Sequence, residues 1–308
     1  MRYLVVGLGN IGAKRKAVLG DRCVATVDPV TLMADYKDVR DVQEVYDAAI
    51  LAVPNADKVP LLEFFLQRST PVLVEKPLIL DPVTGERLRQ MAERSSTIWY
   101  TAYNFRFEPY VLALRRDIEA GVIGRLYRAR LFYGNGTAAR IKGTWRDDEY
   151  GVLADMASHL IDLTGFLFGL RDVRFHVCER QRYELLRGPD HCLLTVEPAT
   201  LRPHVVIECS FLWWENRWSI EVTGELGMLM MTGLTKWGQT QLHLKRRKFP
   251  SGVPDSVCYS GVGGGDDQMI WAADLQHFEE RVARGESSYD NDLWISRTVI
   301  AAARAVVD

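Results

Sequence analysis

The stretch Tyr3-Leu4-Val5-Val6-Gly7-Leu8-Gly9-Asn10-Ile11-Gly12 decides how the rest of the chain is read. Four apolar residues run unbroken into a turn of spacing G-x-G-x-x-G, and a helical pattern over 11–19 follows. A continuous apolar run is what a parallel strand buried on both faces requires. The glycines have separate tasks in such a turn. Gly7 permits the tight bend, Gly9 lets a pyrophosphate approach the backbone, and Gly12 lets the helix pack close to the sheet. Asn10 and Ile11 lead into the helix, whose first amides carry a partial positive charge suited to phosphates. Asp28 ends the second apolar run, 16 residues beyond Gly12. An acid there receives ribose hydroxyls and repels a 2′-phosphate, so the cofactor expected is NAD, with NADP disfavoured. Lys14, Arg15 and Lys16 carry charge of the opposite sense and read as a solvated helix face.

Further apolar runs at 48–53, 72–74 and 98–101 alternate with helical patterns at 59–67 and 83–94. This rhythm predicts an α/β Rossmann domain with a doubly wound parallel sheet. Only 12 residues separate Asp28 from Asp41, where the next helical pattern starts. A full crossover takes at least about 10–12 residues with its helix, so the second crossover reads as trimmed, with 36–39 a vestigial strand and an open adenine side. After Phe107 the pattern changes. A helix over 109–120 precedes longer strands of mixed polarity at 126–133, 173–179, 192–196, 205–213, 217–223, 228–231 and 241–245. They predict an α+β domain with a large, mostly antiparallel, open-faced sheet. A helix at 152–168 interrupts them, and helices at 269–284 and 293–307 close the chain. The expected division is 1–120 and 121–308, with the C-terminal helix packing back on the first domain. The glycine-rich stretch 261–267 has no assigned purpose.

The 308 residues leave room for two domains, and a net charge of -2 offers no electrostatic case for nucleic acid or an anionic membrane. No run approaches the about 18 apolar residues of a membrane span, and no secretory leader is legible, so a cytoplasmic protein is expected. Cys23, Cys178, Cys192, Cys209 and Cys258 are odd in number and form no C-x-x-C pair. They read as reduced thiols. His176, His191, His204, His243 and His277 lack metal-ligand spacing, and no metal is expected.

At 72–74 a buried strand runs into Glu75-Lys76-Pro77. Ligands bind beyond the carboxyl ends of strands in such sheets, so Lys76 is expected to face the cleft and to hold a reacting hydroxyl. A surface salt bridge is the alternative, and the bond to Pro77 allows a cis form. Asp155 and His159 stand at i and i+4 on the 152–168 helix and share a face. Histidine exchanges a proton near neutrality, and a nearby carboxylate favours its cation. A pair serving only the helix surface is the alternative.

Together these segments resemble the Gfo/Idh/MocA oxidoreductase family. Glu75-Lys76-Pro77 is similar to its Glu-Lys-Pro signature, and Ala52-Val53-Pro54-Asn55 to its cofactor-contacting strand end. Tyr103-Asn104-Phe105-Arg106-Phe107, Gly121-Val122-Ile123-Gly124 and Trp145-Arg146 resemble further family segments in the same order. The resemblance implies an NAD(P)-dependent oxidoreductase acting on CH–OH groups, with a sugar, sugar nucleotide or cyclitol as substrate. It implies Lys76, Asp155 and His159 as the catalytic set, with His159 as acid/base. It places Val53, Pro54, Asn55, Glu75 and Lys76 at the cofactor, and Asn104, Arg106 and Arg146 with the catalytic set at the substrate. A structural ion pair is the alternative for Arg106 and Arg146. Asp162 orients the imidazole or faces water. A homodimer or homotetramer through the C-terminal sheet is expected, and Trp213, Trp214 and Trp218 are core or contact residues. Two departures stand out. Asn55-Ala56-Asp57-Lys58 lacks the histidine usual after Pro-Asn, and Gly151-Val152-Leu153 is poor in glycine. A non-sugar substrate and a non-catalytic NAD-binding sensor or partner subunit are the competing readings.

Overall fold

The computed structural model describes residues 1–144, 146–171, 173–183, 186–196, 203–249, 252–253, 255–261 and 267–305. Trp145, 262–266 in the glycine-rich stretch and the end of the last predicted helix lie outside the described residues. The chain forms two units, Met1–Asn104 with Gln268–Arg297, and Phe105–Asp267 with Thr298–Asp308.

In the first unit β1 (Tyr3–Val6), β2 (Cys23–Val27), β3 (Ala48–Leu51), β4 (Val72–Glu75) and β5 (Trp99–Ala102) form a parallel sheet in the order β2-β1-β3-β4-β5. Alternate residues of each strand serve opposite faces, and both faces are covered. Leu4, Val6, Ala49 and Leu51 pack with Leu62, Phe65 and Leu66 of α2 (Asn55–Leu66) and Leu88 of α3 (Pro82–Arg94). Tyr3, Val5 and Ile50 pack with Leu19 of α1 (Asn10–Leu19) and with Leu275 and Phe278 of α7 (Gln268–Arg284). Each such side chain taken fully from water stabilises by about 1.5–3 kcal/mol. This two-sided burial is why the strands read as continuous apolar runs.

The trimmed crossover is present. After β2 only Tyr36 returns to the sheet, as an isolated parallel bridge to Val27. The Tyr36 amide donates to the Thr26 carbonyl and the Asp28 amide to the Tyr36 carbonyl, each at 3.0 Å. The helical pattern expected from Asp41 does not form: a single short helical turn, Val39–Asp41, stands where a crossover helix would, and 42–47 run without a helix into β3.

Buried polar groups fasten the C-terminal helices to this unit. The Arg15 guanidinium, 1 % exposed, donates to Glu75 Oε1 at 2.7 Å and to Asp274 Oδ2 at 2.6 Å. The Tyr100 hydroxyl donates to Asp274 Oδ1. Arg15 therefore departs from the solvated face expected of it: α7 covers that side of α1 and supplies the carboxylate. On α8 (Tyr289–Arg304), Asp292 Oδ2 accepts from Trp99 Nε1, the Thr101 hydroxyl and the Ser288 hydroxyl.

The second unit is an eight-stranded sheet of β6 (Leu126–Gly134), β7 (Phe175–Gln181), β8 (His191–Val196), β9 (His204–Ser210), β10 (Arg217–Gly224), β11 (Gly227–Thr232), β12 (Thr240–Arg246) and β13 (Asp255–Gly261). Its order is β13-β12-β11-β10-β6-β9-β8-β7, antiparallel except where β6 meets β9. Helix α4 (Pro109–Glu119) packs on β11 and β12, and α6 (Ser158–Phe168) on β6 and β9. Buried and part-exposed residues alternate along β8, β10 and β12, as one covered face requires. Strand β13 and the single turn α5 (Ala138–Ile141) escape the sequence reading: one is an exposed polar edge, the other too short for a period. Among the described residues, no helix is long and apolar enough to cross a membrane.

Removing one partner of a buried pair leaves an uncompensated charge, at a cost of about 3–5 kcal/mol. Asp274→Ala is expected to lose that much stability in denaturant unfolding. A loss below about 1 kcal/mol, the scale of an exposed pair, would show that Arg15 does not depend on Asp274.

Candidate active site

In the first unit the chain leaves β1 and β3 in opposite senses along the sheet order, and the glycine loop lies at their carboxyl ends. Such a reversal opens a crevice for a ligand. Gly7 has φ +89°, and a Cβ there would lie 2.4 Å from the Ala52 carbonyl oxygen. A Cβ on Gly12 would lie 1.8 Å from the Gly7 carbonyl oxygen. Gly9 caps α1, and a Cβ there would meet nothing within 4 Å. Gly7 and Gly12 thus serve the loop's own packing. The space beside Gly9 is what an approaching pyrophosphate needs, so the residues present fit a dinucleotide. Asn10 and Ile11 form the first turn of α1, whose amides lack intrahelical acceptors.

Asp28 stands just beyond β2. Its Oδ2 accepts from the Leu8 amide at 2.8 Å, and its Oδ1 from the amides of Val30 and Thr31. Burial opposes its charge, but these amides and Lys37 bring its carboxyl below the usual range. It remains an anion beside the glycine loop, as discrimination against a 2′-phosphate requires. Val53 and Pro54 follow β3, with Pro54 capping α2 and Asn55 beginning it. Glu75 ends β4 with its carboxylate engaged by Arg15. The Lys76–Pro77 bond is cis.

One residue of this region carries more than the sequence reading gave it. Lys58, on α2, is 2 % exposed, and its Nζ donates to Asn55 Oδ1 at 2.8 Å and to the Pro77 carbonyl at 2.5 Å. The only signal was its place where the family resemblance leads one to expect histidine.

In the second unit the predicted 152–168 helix begins with a π turn, Leu153–Ala157, before α6. Asp155 lies in this widened turn and His159 just beyond it. Such turns cluster at functional sites. The His159 ring is 3 % exposed and stacks on Phe105, with centroids 4.0 Å apart and planes within 13°. Tyr133 lies 6.4 Å away, and Trp218 meets Phe105 edge-on at 5.1 Å. Burial pushes the Tyr133 phenol far up, so it stays protonated. Lys236 Nζ sits 4.7 Å from the Phe105 and Trp237 ring centroids. None of this aromatic wall is legible in sequence, since it gathers β6, β10 and two loops.

Arg146 pairs with Asp155, and Arg106 grips Asp162 through two nitrogens. Asp162 therefore does not face water: it is 1 % exposed and held by a guanidinium. Asn104 opens the short 3-10 turn Asn104–Phe107. The tryptophans divide: Trp218 is core, Trp213 packs on Phe132, and Trp214 is fully exposed.

Residues 1–103 match the oxidoreductase family described by its NAD-binding Rossmann fold, and residues 111–230 match the GFO/IDH/MocA C-terminal domain. Inositol 2-dehydrogenase of Rhizobium meliloti (strain 1021) is 26 % identical over 184 residues, 55 % of this chain and 55 % of that protein. Glucose-6-phosphate 3-dehydrogenase of Bacillus subtilis (strain 168) is 32 % identical over 142 residues, 43 % of this chain and 40 % of that protein. The chain thus spans about half the length of these curated relatives. The structure of levoglucosan dehydrogenase in complex with NADH shares the fold at TM-score 0.81 and 16 % identity, covering 99 % of this chain and 97 % of that one.

An NAD-binding loop makes the glycines distinguishable by substitution. Gly9→Ala is expected to keep its melting temperature and weaken NAD binding at least about tenfold, ~1.4 kcal/mol. Gly12→Ala is expected to destabilise the fold itself by about 1–3 kcal/mol or more. Thermal melts and NAD titrations read the two effects separately, and equal NAD affinity in Gly9→Ala would place the cofactor elsewhere. With both of its domains matched in order and the loop shaped for a dinucleotide, the chain belongs to the Gfo/Idh/MocA family of NAD-binding oxidoreductases.

Proposed function

We propose that the protein oxidises a secondary alcohol of a sugar, sugar nucleotide or cyclitol, or reduces the corresponding ketone, with NAD. The observation that carries this reading is His159, buried against Phe105 two residues beyond the π turn that holds Asp155. A buried imidazole suits exchange of a hydroxyl proton near neutral pH.

NAD, when bound, supplies the hydride acceptor. His159 takes the hydroxyl proton as the C–H bond gives up its hydride, leaving a ketone. The Lys76 ammonium steadies the charge that develops on the oxygen. Asp155, oriented by Arg146, accepts from substrate hydroxyls, and the protonated Tyr133 phenol remains a neutral donor. Arg106 orders the helix through Asp162, and Asn104 stands at the turn that leads to Phe105. The aromatic side chains around His159 exclude water from the transfer. Names of relatives such as inositol 2-dehydrogenase support a polyhydroxylated substrate. The part-exposed face of the eight-stranded sheet supports a homodimer or homotetramer built through it, and five free thiols support a reducing, cytoplasmic setting.

NAD reduction by the full chain is measured with myo-inositol, scyllo-inositol, levoglucosan, glucose 6-phosphate and a sugar nucleotide. Turnover of at least one is expected. Lys76→Ala and His159→Ala are each expected to lower kcat by about 10²–10⁴ with NAD affinity kept. Full turnover in both variants would remove the catalytic assignment, and a silent panel would direct the reading to a non-sugar substrate.

A further inference from the structure

Lys58 combines three properties that a packing residue does not need. It is fully enclosed, its two acceptors are both uncharged, and one of them is the carbonyl of the residue that follows Lys76. The charged groups facing it are Glu75, Lys76 and Asp292. Glu75 is engaged by Arg15, and Asp292 Oδ2 by Trp99, Thr101 and Ser288. Burial pulls the Lys58 amine down to about 7, with Glu75 opposing that shift, Lys76 adding to it and Asp292 opposing it again. A neutral amine has two N–H donors where an ammonium has three, and the two acceptors match the neutral form. An apolar side chain would fill the same space without the desolvation cost that an amine carries.

What the amine does is join two strand ends. Asn55 belongs to the segment that follows β3, and Pro77 to the turn that follows β4. Lys58 spans them from the end of the first turn of α2. Lys76, held between Glu75 in the sheet and Pro77 on this amine, has its backbone restrained on both sides. We propose that Lys58 is a positioning residue for the reaction: by holding the Pro77 carbonyl and the Asn55 side chain together, it fixes the turn that presents the Lys76 ammonium. This rests on the reading of Lys76 as the residue that meets the substrate oxygen. A change in Lys58 protonation also changes the charge beside Lys76, so turnover is coupled to the Lys58 amine across neutrality.

The sign of the linked stability follows. The native amine titrates near 7, below the ordinary lysine value of 10.5. The unfolded chain therefore binds the extra proton between those values, and stability rises with pH across that window. Replacing Lys58 by methionine removes that rise, which confirms the buried amine without any substrate.

Wild type, Lys58→Met, Lys58→Gln and Lys76→Ala are compared as full chains, using NAD and whichever member of the panel is turned over fastest. Thermal melts and NAD titrations establish that each variant is folded. In Lys58→Met, kcat is expected to fall at least about tenfold, ~1.4 kcal/mol, with KM changed less and NAD affinity kept. Lys58→Gln, whose amide restores two N–H donors, is expected to recover part of the loss. The wild-type profile of kcat against pH is expected to contain an ionisation near 7 that the Lys58→Met profile lacks. A folded Lys58→Met protein with wild-type kcat, beside an inactive Lys76→Ala protein, overturns the role of Lys58 alone. An active Lys76→Ala protein overturns the reading of Lys76 and the role of Lys58 with it.

Discussion

Glu75 and Asp274 close on the Arg15 guanidinium in a space from which water is excluded. A cation buried this way is tolerated only while its carboxylates stay in place, and each carboxylate lies on a different element. Glu75 ends β4, immediately before Lys76. Asp274 belongs to α7, and Arg15 to the helix that the glycine loop begins. One electrostatic requirement therefore sets α1, β4 and α7 against one another. The loop shaped for a dinucleotide and the turn bearing Lys76 are held by the same three side chains. The apolar faces of the sheet supply the stabilising burial, but they tolerate small shifts. Paired charges in a low-dielectric interior do not, which makes them suited to holding a geometry.

Much of this was legible because burial leaves a mark on sequence. Strands covered on both faces must be apolar at every position, so β1, β3 and β4 stand out as runs. The spacing of Gly7 and Gly12 is dictated by backbone contacts of a few ångströms, and those contacts appear at Ala52 and Gly7. Counting residues between Asp28 and Asp41 pointed to a trimmed crossover, since the span is at the lower limit of what a crossover with its helix takes. Arg15 was illegible for the converse reason. It sits between two lysines, and its partner Asp274 is 259 positions away. No local pattern separates a buried arginine from solvated neighbours. The π turn before α6 is equally silent, because a shift of hydrogen-bond register from four residues to five needs no special composition. Lys58 shows the intermediate case, where an unexpected residue type marked the place but not its partners.

The surroundings of His159 show how a titratable group is kept usable inside a protein. Its ring lies flat on Phe105, which is itself backed edge-on by Trp218, so packing opposes rotation of the side chain. The carboxylates on the same helix are assigned to different cations, Asp155 to Arg146 and Asp162 to Arg106. Each guanidinium gives its acid a defined direction. The aromatic side chains come from β6, β10 and the segment leading into α4, so this cluster depends on the pairing of β6 with β10.

The shortened crossover after β2 bears on a different problem. An outermost strand normally exposes a row of amides and carbonyls to which another chain can add. Here the Thr26 amide donates to Asp35 Oδ2 at 2.9 Å, the Thr26 carbonyl accepts from the Tyr36 amide, and the Asp28 amide donates to the Tyr36 carbonyl. One residue's backbone and one carboxylate consume the pairing groups along the end of β2. The protein thus guards the margin of its sheet against edge-to-edge aggregation with a peptide hook, where a full extra strand and its helix would cost many more residues.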